Sequence, residues 1–203
     1  VGVGYNRFEF AAETPAQYND GSEKADMKSD VVNFCNELGI FQEVLVTRKL
    51  REYPEAVCLE IAELGADGRE YLLTSPAAKA WRRLKTTAKR DNISLHIVSA
   101  FRSIERQAEI VRNKLFSGRT LEEILAVSSP PGFSEHHTGC AVDIGSPGSP
   151  SLEIAFEESA AFHWLETHAN DFGFYLSFPR GNDNGYQYEP WHWCFKETDI
   201  LPV

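Results

Sequence analysis

Two short stretches constrain this chain more than anything else in it: Glu189-Pro190-Trp191-His192-Trp193 near the C-terminus, and Ser134-Glu135-His136-His137-Thr138-Gly139-Cys140-Ala141-Val142-Asp143 upstream. Each is dense in groups that bind divalent cations, and neither suffices alone. A fold that joins them can place two imidazoles and one carboxylate on a Zn²⁺ ion and leave the fourth position to water, as catalytic zinc sites do and structural ones do not. Glu189 precedes His192 by three residues, an offset that lets its carboxylate reach a water on the metal without occupying the metal. Pro190, Trp191 and Trp193 would desolvate it and raise its pKa toward the range where it can both accept and return a proton. His136 and Asp143 are separated by a turn at Gly139, and His192 must come from a neighbouring strand. Spacing does not choose between His136 and His137, because the glycine breaks the strand parity that would favour His137. His163 and His168 miss the i, i+4 spacing and read as ordinary helix residues, and His96 reads as a strand residue.

The rest of the chain bounds what such a site can serve. At 203 residues it holds one substantial core, or one domain with an appendage, and not two full domains. A net charge of −10 argues against nonspecific nucleic-acid binding, which needs cations to neutralise phosphates. An anionic substrate would have to be held by local cations, Arg102 first among them. No apolar run approaches the roughly 20 residues that span a bilayer, and residues 1–7 lack the charged start and apolar middle of a secretory signal. Cys35, Cys58, Cys140 and Cys194 are scattered without CxxC spacing, so free thiols are expected.

Read in order, residues 1–30 form an irregular arm and Asp30 caps a helix over 31–41. Residues 43–47 and 56–61 read as strands on either side of Pro54, and 71–73 as an extended piece. Ser75 and Pro76 open a helix running to about Arg90, with Ser75 as N-cap. Residues 93–99 alternate as a strand, 103–116 form a second amphipathic helix, and 140–144 a short buried strand bracketed by loops. A third helix covers 156–168, with strands at 174–177 and 186–195. Three of the four tryptophans, Trp164, Trp191 and Trp193, fall in the last quarter and predict an apolar wall there. Helices and strands interleave without a regular βαβ period, which favours α+β: a small antiparallel sheet with flanking helices.

The pattern Ser134-x-His136-x-x-Gly139-x-Ala141-x-Asp143 followed by Glu189-Pro190-Trp191-His192 resembles the signature of the VanY-type zinc D-Ala-D-Ala carboxypeptidases, which share the hedgehog/DD-peptidase fold. Val98-Ser99-Ala100-Phe101-Arg102-Ser103 with Gln107 resembles the same family's strand-end segment, with Phe101 where tyrosine is usual. The resemblance covers about residues 71–195, so residues 71–203 are expected to be the zinc peptidase domain and residues 1–70 an arm and packing segment with no recognised family.

The resemblance implies His136, Asp143 and His192 as ligands to one zinc, Glu189 as general base and then general acid, and Arg102 as the group that steadies the oxyanion or a substrate carboxylate. Ser134 and Gln107 match polar groups around the substrate's terminal residue. Peptidoglycan stem peptides are the implied partner, and the implied location is periplasmic or extracellular. Related expectations are a D,D-dipeptidase, an L,D-carboxypeptidase, or a noncatalytic zinc-binding module of the hedgehog kind. Glu-Pro-Trp-His is closer to the carboxypeptidases than to the dipeptidases, which usually carry Trp in place of Pro190. Glu189 with Arg102 disfavours a noncatalytic module.

Overall fold

The computed structural model describes residues 20–197, with side chains described from Ser29 onward. Helix α1 (Asp20–Glu37) and the short α2 (Gln42–Thr47) precede a hairpin of β1 (Glu60–Leu64) and β2 (Glu70–Leu73). There follow α3 (Ser75–Arg90), β3 (His96–Ser99), α4 (Ile104–Phe116), α5 (Leu121–Leu125), β4 (Ala141–Gly145), α6 (Ala160–His168), β5 (Phe174–Leu176) and β6 (His192–Phe195). The main sheet is antiparallel throughout, in the order β3-β4-β6-β5, and β1 and β2 form a separate antiparallel pair. The chain is therefore α+β, with small antiparallel sheets and packed helices.

Side-chain alternation along the central strands creates the two faces on which everything else depends. Val142 and Ile144 of β4 and Trp193 of β6 enter a core with Trp81 and Leu84 of α3, Phe162 and Leu165 of α6, and Ile97 and Phe174. Asp143 and His192 point the other way, and the register pairs them directly across β4 and β6. Burying each large apolar side chain on the helix face stabilises the fold by about 1.5–3 kcal/mol, so the face carrying Asp143 and His192 is held rigidly from behind.

A second core joins α1, α4 and α5 through Val31, Cys35, Leu38, Ile40, Ile104, Ala108, Val111, Ile124 and Leu125. From there the chain runs back along the ligand-bearing segment. Tyr53 N–H donates to Gly132 O at 2.8 Å, Ala56 N–H to His137 O at 2.8 Å, and the Glu55 carboxylate accepts from the first N–H of α4 at 2.6 Å.

Several local expectations need correction. Asp30 lies inside α1 and does not cap it, and packing on the second core begins only at Val31. The expected irregular arm is therefore helical from residue 20, and its first nineteen residues lie outside the described residues. Residues 42–47 form α2 and not a strand: Val44, Leu45 and Val46 have β propensity, but no sheet edge is there to receive them and Val44 and Leu45 pack on the second core. The strand expected over 56–61 begins only at Glu60, the Ala56 amide being spent on His137. Thr74, not Ser75, is the N-cap of α3. The third helix is broken at Ser159, which caps α6 after a 3-10 turn at Ile154–Glu158. The last strand is confined to His192–Phe195.

Candidate metal centre

Ser134 starts a 3-10 turn at Glu135–Thr138, its hydroxyl accepting from His136 N–H at 3.3 Å. Gly139 ends that turn at φ +65, where a Cβ would lie 2.7 Å from a Leu59 methyl, so glycine alone lets the chain swing from the histidines into β4. The result is that His136, Asp143 and His192, each at most 5% exposed, bring one ligand atom apiece within 4.8 Å of one another.

Each imidazole is oriented by its other nitrogen. His136 Nδ1–H donates to Ala100 O at 2.7 Å, leaving Nε2 to face Asp143 Oδ2 at 3.3 Å. His192 Nε2–H donates to Glu135 Oε2 at 3.0 Å, leaving Nδ1 to face Asp143 Oδ1 at 3.0 Å. Orientation of this kind by a carbonyl or a carboxylate is what metal-binding histidines require. His137 is excluded by the same reasoning: Nε2 accepts from Gly132 N–H at 3.1 Å, so Nδ1–H donates to Arg102 O at 2.7 Å and neither nitrogen is free. Burial holds His137 down at about 4, against the opposing hydrogen bond to Arg102.

The electrostatics follow from this packing. Burial alone would lower His192, but its bonds to Asp143 and Glu135 lift it to about 10. Burial alone would raise Glu135, yet the His192 hydrogen bond and charge bring it to about 2. Burial lowers His136 despite the nearby Asp143, and the two imidazoles hold Asp143 well below the ordinary carboxylate range despite its burial. Glu189 Oε2 is 4.0 Å from His192 Nδ1, outside the set of three. Burial pushes Glu189 up to about 7, with the Asp143 charge adding to it and His192 and Arg102 opposing.

Arg102 is fixed on two sides, donating from NH1 to Gln107 Oε1 at 2.7 Å and from NH2 to Ser99 Oγ at 3.0 Å. Gln107 is wholly buried behind it, its amide donating to Ser129 O at 2.6 Å, so the structure places this residue as a support for the guanidinium and not on the cleft wall. Ser134 does line the cleft, with Arg102, Glu189 and the three donors, in a cavity of about 760 Å³. Of the tryptophans only Trp191 reaches this cavity; Trp193 and Trp164 are in the core on the other face. All four cysteines are free thiols, with Cys58 exposed.

Three contributors went unread in the sequence. Glu135 is adjacent to His136 but acts on His192, a partnership that no local spacing encodes. Lys114 reaches the cleft from α4, its ammonium 2.5 Å from Ser128 Oγ; it stands two helical turns beyond Gln107 on the same face, which was a legible signal. The Phe178 ring lies 4.7 Å from that of His192 and closes one side.

The donor set fits zinc. Bonds of about 2.0–2.1 Å to a tetrahedral ion put ligand atoms about 3.3 Å apart; His136 Nε2 and His192 Nδ1 lie 3.3 and 3.0 Å from the two separate oxygens of Asp143, Oδ2 and Oδ1, within reach of that spacing. Fold and site together define a small α+β protein whose two imidazoles and one carboxylate could hold a single metal ion at the floor of an open cleft. The chain belongs to the VanY family of D-alanyl-D-alanine carboxypeptidases, whose family model matches residues 70–198. It is 36% identical over 121 residues to YodJ, a carboxypeptidase-like protein of Bacillus subtilis, the match covering 57% of this chain and 43% of that one. The structure of the LD-carboxypeptidase LdcB aligns with a TM-score of 0.63 at 30% identity, covering 70% of this chain and 69% of the other. VanYB in complex with D-alanine-D-alanine aligns with a TM-score of 0.57 at 26% identity, covering 71% and 81%. The chain thus spans less than half the length of YodJ. Among the described residues no helix is long and apolar enough to cross a membrane.

Proposed function

We propose that this chain is a zinc-dependent carboxypeptidase that removes the C-terminal D-alanine of peptidoglycan stem peptides. The observation that carries the reading is the meeting of His136, Asp143 and His192 beside a buried carboxylate, Glu189, that is not one of the three. One zinc ion held by them supplies Lewis acidity, acidifying a water and polarising a peptide carbonyl.

The chain's own residues do the rest. Glu189, which burial lifts to about 7 in the metal-free fold, takes the proton of the attacking water and returns it to the amine of the departing D-alanine. Arg102, pre-set by Gln107 and Ser99, stabilises the charge that develops on the carbonyl oxygen without having to reorganise. Lys114 suits the terminal carboxylate: it lines the same cleft, and neither it nor Arg102 has an ion-pair partner among the described residues. Ser134, on the cleft wall, would contact the leaving residue. In a chain whose net charge is −10, Arg102 and Lys114 are the local cations that an anionic polymer would meet in the cleft. A stem-peptide substrate places the work outside the cytoplasm, in the periplasm or the extracellular space.

The likeness to LdcB favours a second reading, an L,D-carboxypeptidase acting on tetrapeptide stems. Both activities release D-alanine through the same chemistry and differ in the residue before the scissile bond. Defined tri-, tetra- and pentapeptide stems, incubated with the zinc-loaded protein with and without chelator, choose between them. Chelator-sensitive release of D-alanine from pentapeptide supports the first reading, and release from tetrapeptide alone supports the second. Release of the D-Ala-D-Ala dipeptide, or of nothing, overturns both.

A further inference from the structure

The geometry points to Arg48, upstream of the family match, as the positioning residue that holds the loop bearing Tyr186, Gln187 and Glu189 against the cleft and so sets the aim of the Glu189 carboxylate. The far end of that loop is tied down, with Tyr188 packed on the main core and Pro190 buried, but its tip over residues 181–185 has little else to fix it. Gly181, Asp183, Gly185 and Gln187 are exposed, and pairing of β6 begins only at His192. Internal bonds shape the loop without anchoring it to the body: Tyr186 N–H donates to Asn182 Oδ1 at 3.2 Å, and Asn182 Nδ2 donates to Tyr186 O at 2.8 Å.

Anchoring comes from residues 48–49 and the end of α5. Arg48 Nε donates to Asn184 O at 2.8 Å, and its NH1 donates to Leu125 O at 2.7 Å, so one planar fork ties loop and helix together. Its guanidinium lies 4.5 Å from the centre of the Tyr186 ring. Asn184 Nδ2 donates back to the carbonyls of Arg48 and Lys49, at 3.4 and 3.3 Å. The next carbonyl along, that of Ala126, accepts from Gln187 N–H at 2.8 Å, and Glu189 N–H then reaches Phe178 O at 3.1 Å. Tyr186, Gln187 and Glu189 all line the cleft. Arg48 NH2 is buried without a hydrogen-bond partner, a cost the fold bears for the two bonds and the ring contact.

A segment expected to be an arm and packing piece thus reaches the Glu189 loop through the Arg48 side chain and the carbonyls of residues 48 and 49. The kinetic consequence rests on the carboxypeptidase reading; the structural one does not. The test uses the full zinc-loaded chain, amide hydrogen exchange over residues 181–189, and steady-state release of D-alanine. Arg48→Ala is expected to speed exchange at Gln187 and Glu189 and to lower kcat about 10–100-fold, the cost of an ångström-scale misplacement, with KM and zinc stoichiometry held near wild type. Arg112→Ala removes a different tie between α4 and α1, the Arg112–Glu37 pair at 2.8 Å, and should match wild type in both readouts. Arg48→Lys keeps the cation without the fork, should fall in between, and decides the matter if the alanine variant does not fold. Wild-type exchange or kcat in Arg48→Ala, or an equal fall in Arg112→Ala, overturns the proposal. If the wild type cleaves no stem, the carboxypeptidase reading fails while the exchange data still judge the clasp.

Discussion

Removing the Glu135 carboxylate should weaken zinc binding even though Glu135 is not among the three donors. Its Oε2 accepts from His192 Nε2–H at 3.0 Å in a setting where Glu135 is held at about 2 and is therefore ionised. A hydrogen bond to a charged group contributes about 1.5–3 kcal/mol, against about 1 kcal/mol for a neutral pair. Glu135→Ala forfeits the whole bond and leaves a buried N–H without a partner, so at about 1.4 kcal/mol per tenfold zinc affinity should fall about 10–100-fold. Glu135→Gln preserves shape and an acceptor oxygen but loses the charge, and should sit nearer a few-fold to tenfold. Competition with a chromophoric chelator at fixed pH gives the affinities. Wild-type affinity in both variants would refute the claim that this carboxylate orients the ligand.

Glu189→Gln should lower kcat by about 10²–10⁴ while zinc affinity stays at the wild-type value, because in the proposed mechanism the carboxylate shuttles protons and binds no metal; kinetics and chelator competition on one preparation check both halves. Lys114→Met should erase the preference for a substrate with a free C-terminal carboxylate over its amide, read from kcat/KM on the matched pair, whereas an equal fall on both substrates would contradict the assignment. His192 is raised from 6.5 to about 10 in the metal-free fold, so the stability its proton lends is fully present below pH 6.5 and is lost as pH rises through 10. Zinc needs that proton gone, and its affinity should therefore climb with pH, about tenfold per unit around neutrality; calorimetry in buffers of different ionisation enthalpy should find about one proton released from His192 per zinc bound.

What could be read ahead of the fold follows the range of each interaction. The meeting of His136, Asp143 and His192 beside Glu189 was legible because turn and strand chemistry place them within two short stretches, and Gly139 was legible as the turn between them. His137 could be set aside without the family resemblance only once Gly132 and Arg102 O were seen to occupy its ring. Glu135, Lys114 and Arg48 act across the fold, and sequence proximity says nothing of their partners. The helix over residues 42–47 was hidden by a run of β-prone residues, while α5 was overlooked despite a readable capping box at Thr120 and Glu123. The final strand was drawn too long because alternating aromatics from Tyr186 onward imitate strand periodicity; Pro190 and the loop's own bonds exclude that stretch from the ladder.

The most direct test of the central claim is a zinc-edge anomalous diffraction map from crystals of the zinc-loaded protein. It should show a single ion bonded to His136 Nε2, an Asp143 oxygen and His192 Nδ1, with its remaining position open to the cleft. A fourth protein ligand closing the shell, whether Glu189 or the sulfur of Cys140 or Cys194, or an ion bound elsewhere, would contradict it.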